Sequence, residues 1–158
     1  MSTSDNEFQK ALDLGIAGEN KVYEYLKSTN SLVMNTRLHK HDEKIGPRMH
    51  GLAGSVVLPD FVVYNKFEDK GNFAVDVKVK KSIYPIGNKL CFTVDNKFED
   101  YVRAVQIMKL DYLALIFVFE DNLYFYKDSD LIGTTVYGNK WSNGTVYLFE
   151  HNKAKICG

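Results

Sequence analysis

The sequence predicts one α/β domain whose elements run helix, three strands, helix, strand, with a β extension at the end. Three observations predict it. Turned at 100° per residue from Phe8, the positions Leu12, Ile16, Val22, Tyr23 and Leu26 share an arc of about 120°, as in an amphipathic helix. Leu58–Tyr64 and Phe73–Val79 are rich in β-branched and aromatic residues and flank a polar connector ending in Gly71, the pattern of a hairpin. Tyr112–Phe119 is nearly continuous apolar, as a strand buried on both faces requires.

The chain has 158 residues, enough for one real core and too few for two. At 45% hydrophobic and 13% aromatic it is not a disordered sequence. No apolar run reaches the roughly 18–20 residues that span a bilayer. The polar start, Met1 to Glu7, is unlike a secretory signal or a transit peptide, so a cytoplasmic location is expected. Cys91 and Cys157 have no metal-ligand spacing, and a disulfide is not the expected state in such a location.

The elements follow in order. The first helix covers about 6–28, and Glu19 falls at about 20° on its wheel, in the middle of the apolar arc. A carboxylate there is costly to bury without a partner. Gly15 lies on the same face, where a missing Cβ permits close approach to another backbone. Ser31–Arg37 reads as a first strand. Residues 39–55 form a long polar connection with three histidines, Lys40, Lys44 and Arg48. Loops of that length are uncommon unless functional or disordered, and a basic arm touching a phosphate backbone is the functional reading. His39 and His41 lack a third ligand at zinc spacing. Beyond the hairpin come Lys80, Lys81, a turn over 84–88 and a short strand over 90–94. A second amphipathic helix over 96–110 presents Phe98, Tyr101, Val102, Val105 and Met108, and Asn96 with Glu99 resembles a capping box. Asp121-Asn122 turns the chain into a strand over 123–126, and Asn143-Gly144 marks a hairpin turn between 136–141 and 145–149. The core is thus about 6–127, with a C-terminal β extension at about 134–150, in one domain over 1–158.

Two acids carry the chemistry. A hairpin centred on Glu68 sets Asp60 opposite Asp76, and cross-strand neighbours have Cβ atoms about 4.5–5.5 Å apart. Two carboxylates so close repel unless a cation lies between them. The two-residue period of a strand puts Lys78 on the same face as Asp76. Two acids and an amine on one face suit a metal-assisted phosphodiesterase, with Glu19 as a third acid directed from the helix. Net charge is zero, but residues 37–89 carry ten basic and six acidic side chains, whereas 90–135 carry four and eight. The positive block holds the candidate site, so local polarity permits a phosphate partner.

Gly18-Glu19 on the helix, Pro59-Asp60 and Asp76-Val77-Lys78, in this order of elements, resemble the PD-(D/E)XK nuclease superfamily over about 14–118. The Gly-x-x-Gly-Glu-x-x-Val-x-x-x-Leu layout is similar to its archaeal Holliday-junction resolvase branch. The acid before the lysine is Asp, where the commonest form has Glu, and the basic arm is longer than in that branch. The resemblance implies a restriction-endonuclease-like α-β-β-β-α-β core, a central mixed sheet flanked by helices, with a C-terminal β-hairpin. It implies that Asp60, Asp76 and the Val77 backbone carbonyl bind Mg²⁺ or Mn²⁺, hard cations that prefer oxygen. Glu19 would reach the metal or one of its waters. Lys78 would orient or deprotonate the attacking water, or hold the scissile phosphate. Arg37, Lys40, Lys44, Arg48, Ser55, Lys80 and Lys81 would meet the nucleic-acid backbone. DNA, duplex or branched, is the implied substrate and a homodimer the implied assembly. A restriction-like or RNA-directed nuclease stays open beside this reading, as does a non-catalytic binding module on the same fold.

Overall fold

A computed structural model of the chain describes residues 3–29, 31–36, 48–51, 54–65, 71–138, 143–153 and 155–157. The fold is mixed α/β, mostly sheet, with two helices among the described residues. Helix α1 spans Thr3–Ser28, followed by strands β1 (Ser31–Asn35), β2 (Arg48–Gly51), β3 (Gly54–Val57), β4 (Phe61–Asn65) and β5 (Phe73–Val79). Strands β6 (Tyr84–Ile86) and β7 (Lys89–Val94) lead to helix α2 (Lys97–Ile107). Strands β8 (Tyr112–Phe119), β9 (Asn122–Lys127), β10 (Gly133–Gly138), β11 (Asn143–Glu150) and β12 (Lys155–Cys157) complete the order.

The main sheet runs β1-β4-β5-β8-β9-β12. Every neighbouring pair in it is antiparallel except β5 and β8, which are parallel. A parallel neighbour cannot be reached by a tight turn, and the chain between these two strands carries β6, β7 and α2. Strand β8 is thereby enclosed by β5 and β9, and Leu113 to Phe117 are fully buried. Its continuous apolar run is the consequence of neighbours on both edges and cover on both faces.

Alternation along β5 sorts the core into two halves. Phe73, Val75 and Val77 pack with Val22 and Leu26 of α1, together with Phe61 and Val63 of β4. Ala74 faces the other way, joining Phe98, Tyr101 and Val105 of α2. That second half also takes Phe92 and Val94 of β7 with Tyr147 and Phe149 of β11, so a smaller sheet, β10-β11-β7-β6, closes the α2 side. Phe92 stacks on Phe117 at 4.6 Å between ring centroids, which locks the small sheet onto the large one.

Several expectations change. The apolar arc of α1 is buried only in its C-terminal half: Val22 and Leu26 are buried, whereas Phe8 is 49% exposed. Part of the connection over 39–55 is the β2–β3 hairpin, with Arg48 opposite Val57, and its β3 strand packs on α2. Asn96 makes no side-chain cap. The Lys97 N–H instead goes to Asp95 Oδ1 at 3.0 Å, and Glu99 is engaged by the Tyr147 hydroxyl, so the sequence pattern Asn96…Glu99 is not a capping box. The β10–β11 pair forms, but Gly138 stands opposite Asn143. Asn143 and Gly144 are therefore strand residues, and positions 139–142 lie outside the described residues. The turn into β9 has positive φ at Glu120 and Asp121, as a two-residue hairpin loop demands. Arg37, His39, Lys40, His41 and Lys44 also lie outside the described residues, as do positions 66–70 of the connector. No described helix is long and apolar enough to cross a membrane.

Candidate active site

The β4–β5 register is the one the hairpin centre requires. Phe61 stands opposite Val75, Val62 opposite Ala74 and Val63 opposite Phe73. Carried one residue further, it sets Asp60 against Asp76. Asp60 lies one residue before β4, where the ladder ends, and β1 holds its backbone there. The Thr36 N–H donates to the Asp60 carbonyl at 3.0 Å, and the Thr36 hydroxyl donates to the Pro59 carbonyl at 2.5 Å. Both carboxylates are deeply buried, at 2% exposure for Asp60 and 1% for Asp76.

Asp60 Oδ2 accepts the backbone N–H of Val77 at 2.8 Å. In a strand the N–H and C=O of one residue point toward the same edge. The Val77 carbonyl is thus directed toward the β4 side, beyond the last β4–β5 pair, and not into the β5–β8 ladder. Asp76 and Lys78 share the opposite parity and face α2. Lys78 Nζ lies 3.1 Å from Asp76 Oδ2. It also donates to the hydroxyl of Tyr101 at 3.4 Å and sits over that ring, 5.3 Å from its centroid. Burial is the largest single influence and works against the charge on Lys78, but Asp76, Tyr101, Asp60 and Asp95 together outweigh it. The ammonium is held well above the ordinary lysine range. Burial raises the Tyr101 hydroxyl in turn, and Asp76 adds to that.

Lys80 behaves differently. Burial and then the Lys78 cation push it down to about 8, against the pull of Asp95 and Asp76. Its backbone N–H donates to the Val118 carbonyl at 2.9 Å, so β5 and β8 stay joined up to the edge of the site.

Glu19 comes from the other side of the sheet. It is half-buried on α1, and the neighbouring Gly18 is where the helix touches β5: a Cβ there would lie 2.3 Å from Val79 Cγ2. Gly15, expected to make that approach, has nothing within 4 Å of where its Cβ would stand. The contact falls one turn later because only that part of α1 rests on the sheet. Glu19 is thus brought to the same end of β5 as Lys78, on the opposite layer. Among the described residues no group of three or more His, Cys, Asp or Glu is gathered closely enough to hold a metal ion. The acid set at the site's centre is Asp60 with Asp76.

Of the expected backbone contacts, Arg48 and Lys81 are exposed, and Arg48 donates from Nη1 to Ser55 Oγ at 3.1 Å across the β2–β3 hairpin. Tyr101 is the site residue that sequence reading treats only as apolar. Its ring does fill the α2 face, and the signal for its hydroxyl is its place on the helix that crosses between β5 and β8. No family model, curated protein or solved structure matches the chain.

Proposed function

We propose that the chain is a divalent-metal-dependent endonuclease that hydrolyses DNA phosphodiester bonds. The observation that carries this is the buried arrangement of Asp60 against Asp76-Val77-Lys78 at the end of β5. Side-by-side carboxylates in a dry setting are expensive unless cations balance them. Their oxygens, with a Val77 carbonyl turned to the same edge, are the hard donors that Mg²⁺ and Mn²⁺ take. A bound cation supplies charge stabilisation at the phosphoryl oxygens and lowers the pKa of bound water. Asp60 and Asp76 would hold it, with Glu19 approaching from α1. The Lys78 ammonium presents a fixed positive charge to the phosphate, the electrostatic contribution such chemistry rewards most. Exposed Arg48 and Lys81, with Arg37, Lys40 and Lys44, meet the substrate backbone.

The order helix, antiparallel strands, helix, parallel strand accords with the resemblance to PD-(D/E)XK nucleases, and a restriction-endonuclease-like core belongs to the same proposal. So do a homodimer and selectivity for branched DNA. Incubation of the protein and Mg²⁺ or Mn²⁺ with duplex, branched and single-stranded DNA and with RNA tests the reading. Cleavage of DNA that stops in excess chelator supports it. Cleavage undiminished by chelator, or none with any substrate, overturns it; binding without cleavage would leave the non-catalytic module.

A further inference from the structure

Lys78 reaches the site on a flexible four-carbon stem, and an ion pair with Asp76 alone leaves such a stem free to swing about one contact. The structure supplies a second contact from a different layer. Tyr101 is 1% exposed, and its ring is packed among the α2-side core residues, so its hydroxyl has one place to go. Nζ of Lys78 lies 3.1 Å from Asp76 Oδ2, 3.4 Å from the Tyr101 hydroxyl and 5.3 Å from the ring centroid. The hydroxyl accepts a bond from the ammonium while the ring face attracts its charge. An ammonium has three N–H directions. Asp76 and Tyr101 occupy two, and the side chain remains 24% exposed.

We propose that Tyr101 is a positioning residue that holds the Lys78 ammonium in line for the scissile phosphate, from a helix that contributes no other group to that amine. The role rests on the nuclease reading above. It assigns to α2 a function beyond packing: the crossover helix that joins β5 to β8 also aims the lysine of β5. Tyr101 need not touch substrate, so its removal weakens turnover through Lys78 alone.

Tyr101→Phe keeps the ring and removes the acceptor. A displaced catalytic group of this kind costs about 10- to 100-fold in rate. We therefore expect kcat for Mg²⁺-dependent DNA cleavage to fall by that factor, with KM within about twofold and Tm nearly unchanged. Unaltered kcat overturns the role, and so does a loss confined to KM. A second measurement does not depend on activity: the NMR order parameter of the Lys78 Nζ in ¹⁵N-labelled protein, assigned by comparison with Lys78→Arg. It should fall in Tyr101→Phe, and an unaltered value overturns the positioning role whatever the activity does. If the parent protein cleaves nothing, the nuclease reading fails, and the order parameter alone decides whether Tyr101 holds the lysine.

Discussion

Asp60 Oδ2 accepts the backbone N–H of Val77 at 2.8 Å, so the acid just before β4 is bonded to the residue between the acid and the lysine of β5. This bond takes over where the β4–β5 ladder stops. It keeps the two carboxylates in register without a further backbone pair, and it gives Asp60 a structural part beside its proposed chemical one.

That double role separates two substitutions. Asp60→Asn retains an oxygen that accepts the Val77 N–H and should melt near the parent. Asp60→Ala leaves a buried donor without its acceptor, at a cost of about 1–3 kcal/mol. Both should abolish cleavage. Urea denaturation beside the activity assay checks this, and equal stabilities for the two variants would refute the bond's structural share.

The two glycines of α1 should respond in opposite directions. A Cβ at Gly18 meets Val79 Cγ2 at 2.3 Å, a branched side chain with little room to yield. Gly18→Ala should therefore destabilise by about 1–3 kcal/mol, the usual cost of overpacking. Gly15 has open space and a helical setting, so Gly15→Ala should stabilise by about 0.5–1 kcal/mol. Thermal melts of both variants decide it, and a stabilising Gly18→Ala would contradict the contact.

Lys80 makes stability depend on pH. Its folded pKa is lowered to about 8, chiefly by burial, from an ordinary value near 10.5. Between those values the unfolded chain binds more protons, so stability rises with pH across that window; below about pH 8 the full cost of charging the buried amine is present. Lys80→Met should be more stable than the parent at neutral pH, with the advantage shrinking above about pH 8. Denaturation at about pH 7 and about pH 9.5 measures it. A constant difference between the two proteins would show that Lys80 stays charged.

Arg48 and Lys81 are exposed and should contribute to DNA affinity without touching the chemical step. Neutralising either should weaken binding across all sequences and reduce the salt slope by about one phosphate contact. Turnover at saturating DNA should hold. Titrations at several salt concentrations report the slope, and unchanged affinity at every salt would place the substrate elsewhere.

What the sequence made legible was set by period and by local bonding. The strand alternation at Phe73–Val79 and the polar connector after Asn65 sufficed to place Asp60 opposite Asp76, because a hairpin register has few solutions. The unbroken apolar run at Tyr112–Phe119 gave away the strand enclosed between two others. The misses depend on tertiary neighbours. Glu99 could cap α2 on sequence grounds, but Tyr147, 48 residues away, claims it. Gly15 and Gly18 both lie on or beside the helix stripe, and only the sheet's extent decides which one touches. Asn143-Gly144 is a good turn dipeptide, yet the β10 register pulls it into a strand. Tyr101 reads as apolar because a helical wheel places its ring and says nothing of what its hydroxyl meets.

Isothermal titration of Mn²⁺ into the parent protein, Asp60→Asn and Asp76→Asn tests most directly whether the two buried carboxylates form a cation site. The parent should bind saturably, and each variant should lose at least about tenfold in affinity, as removal of a charged ligand from a hard-cation site entails. Equal Mn²⁺ binding by all three proteins, or none by the parent, would contradict it.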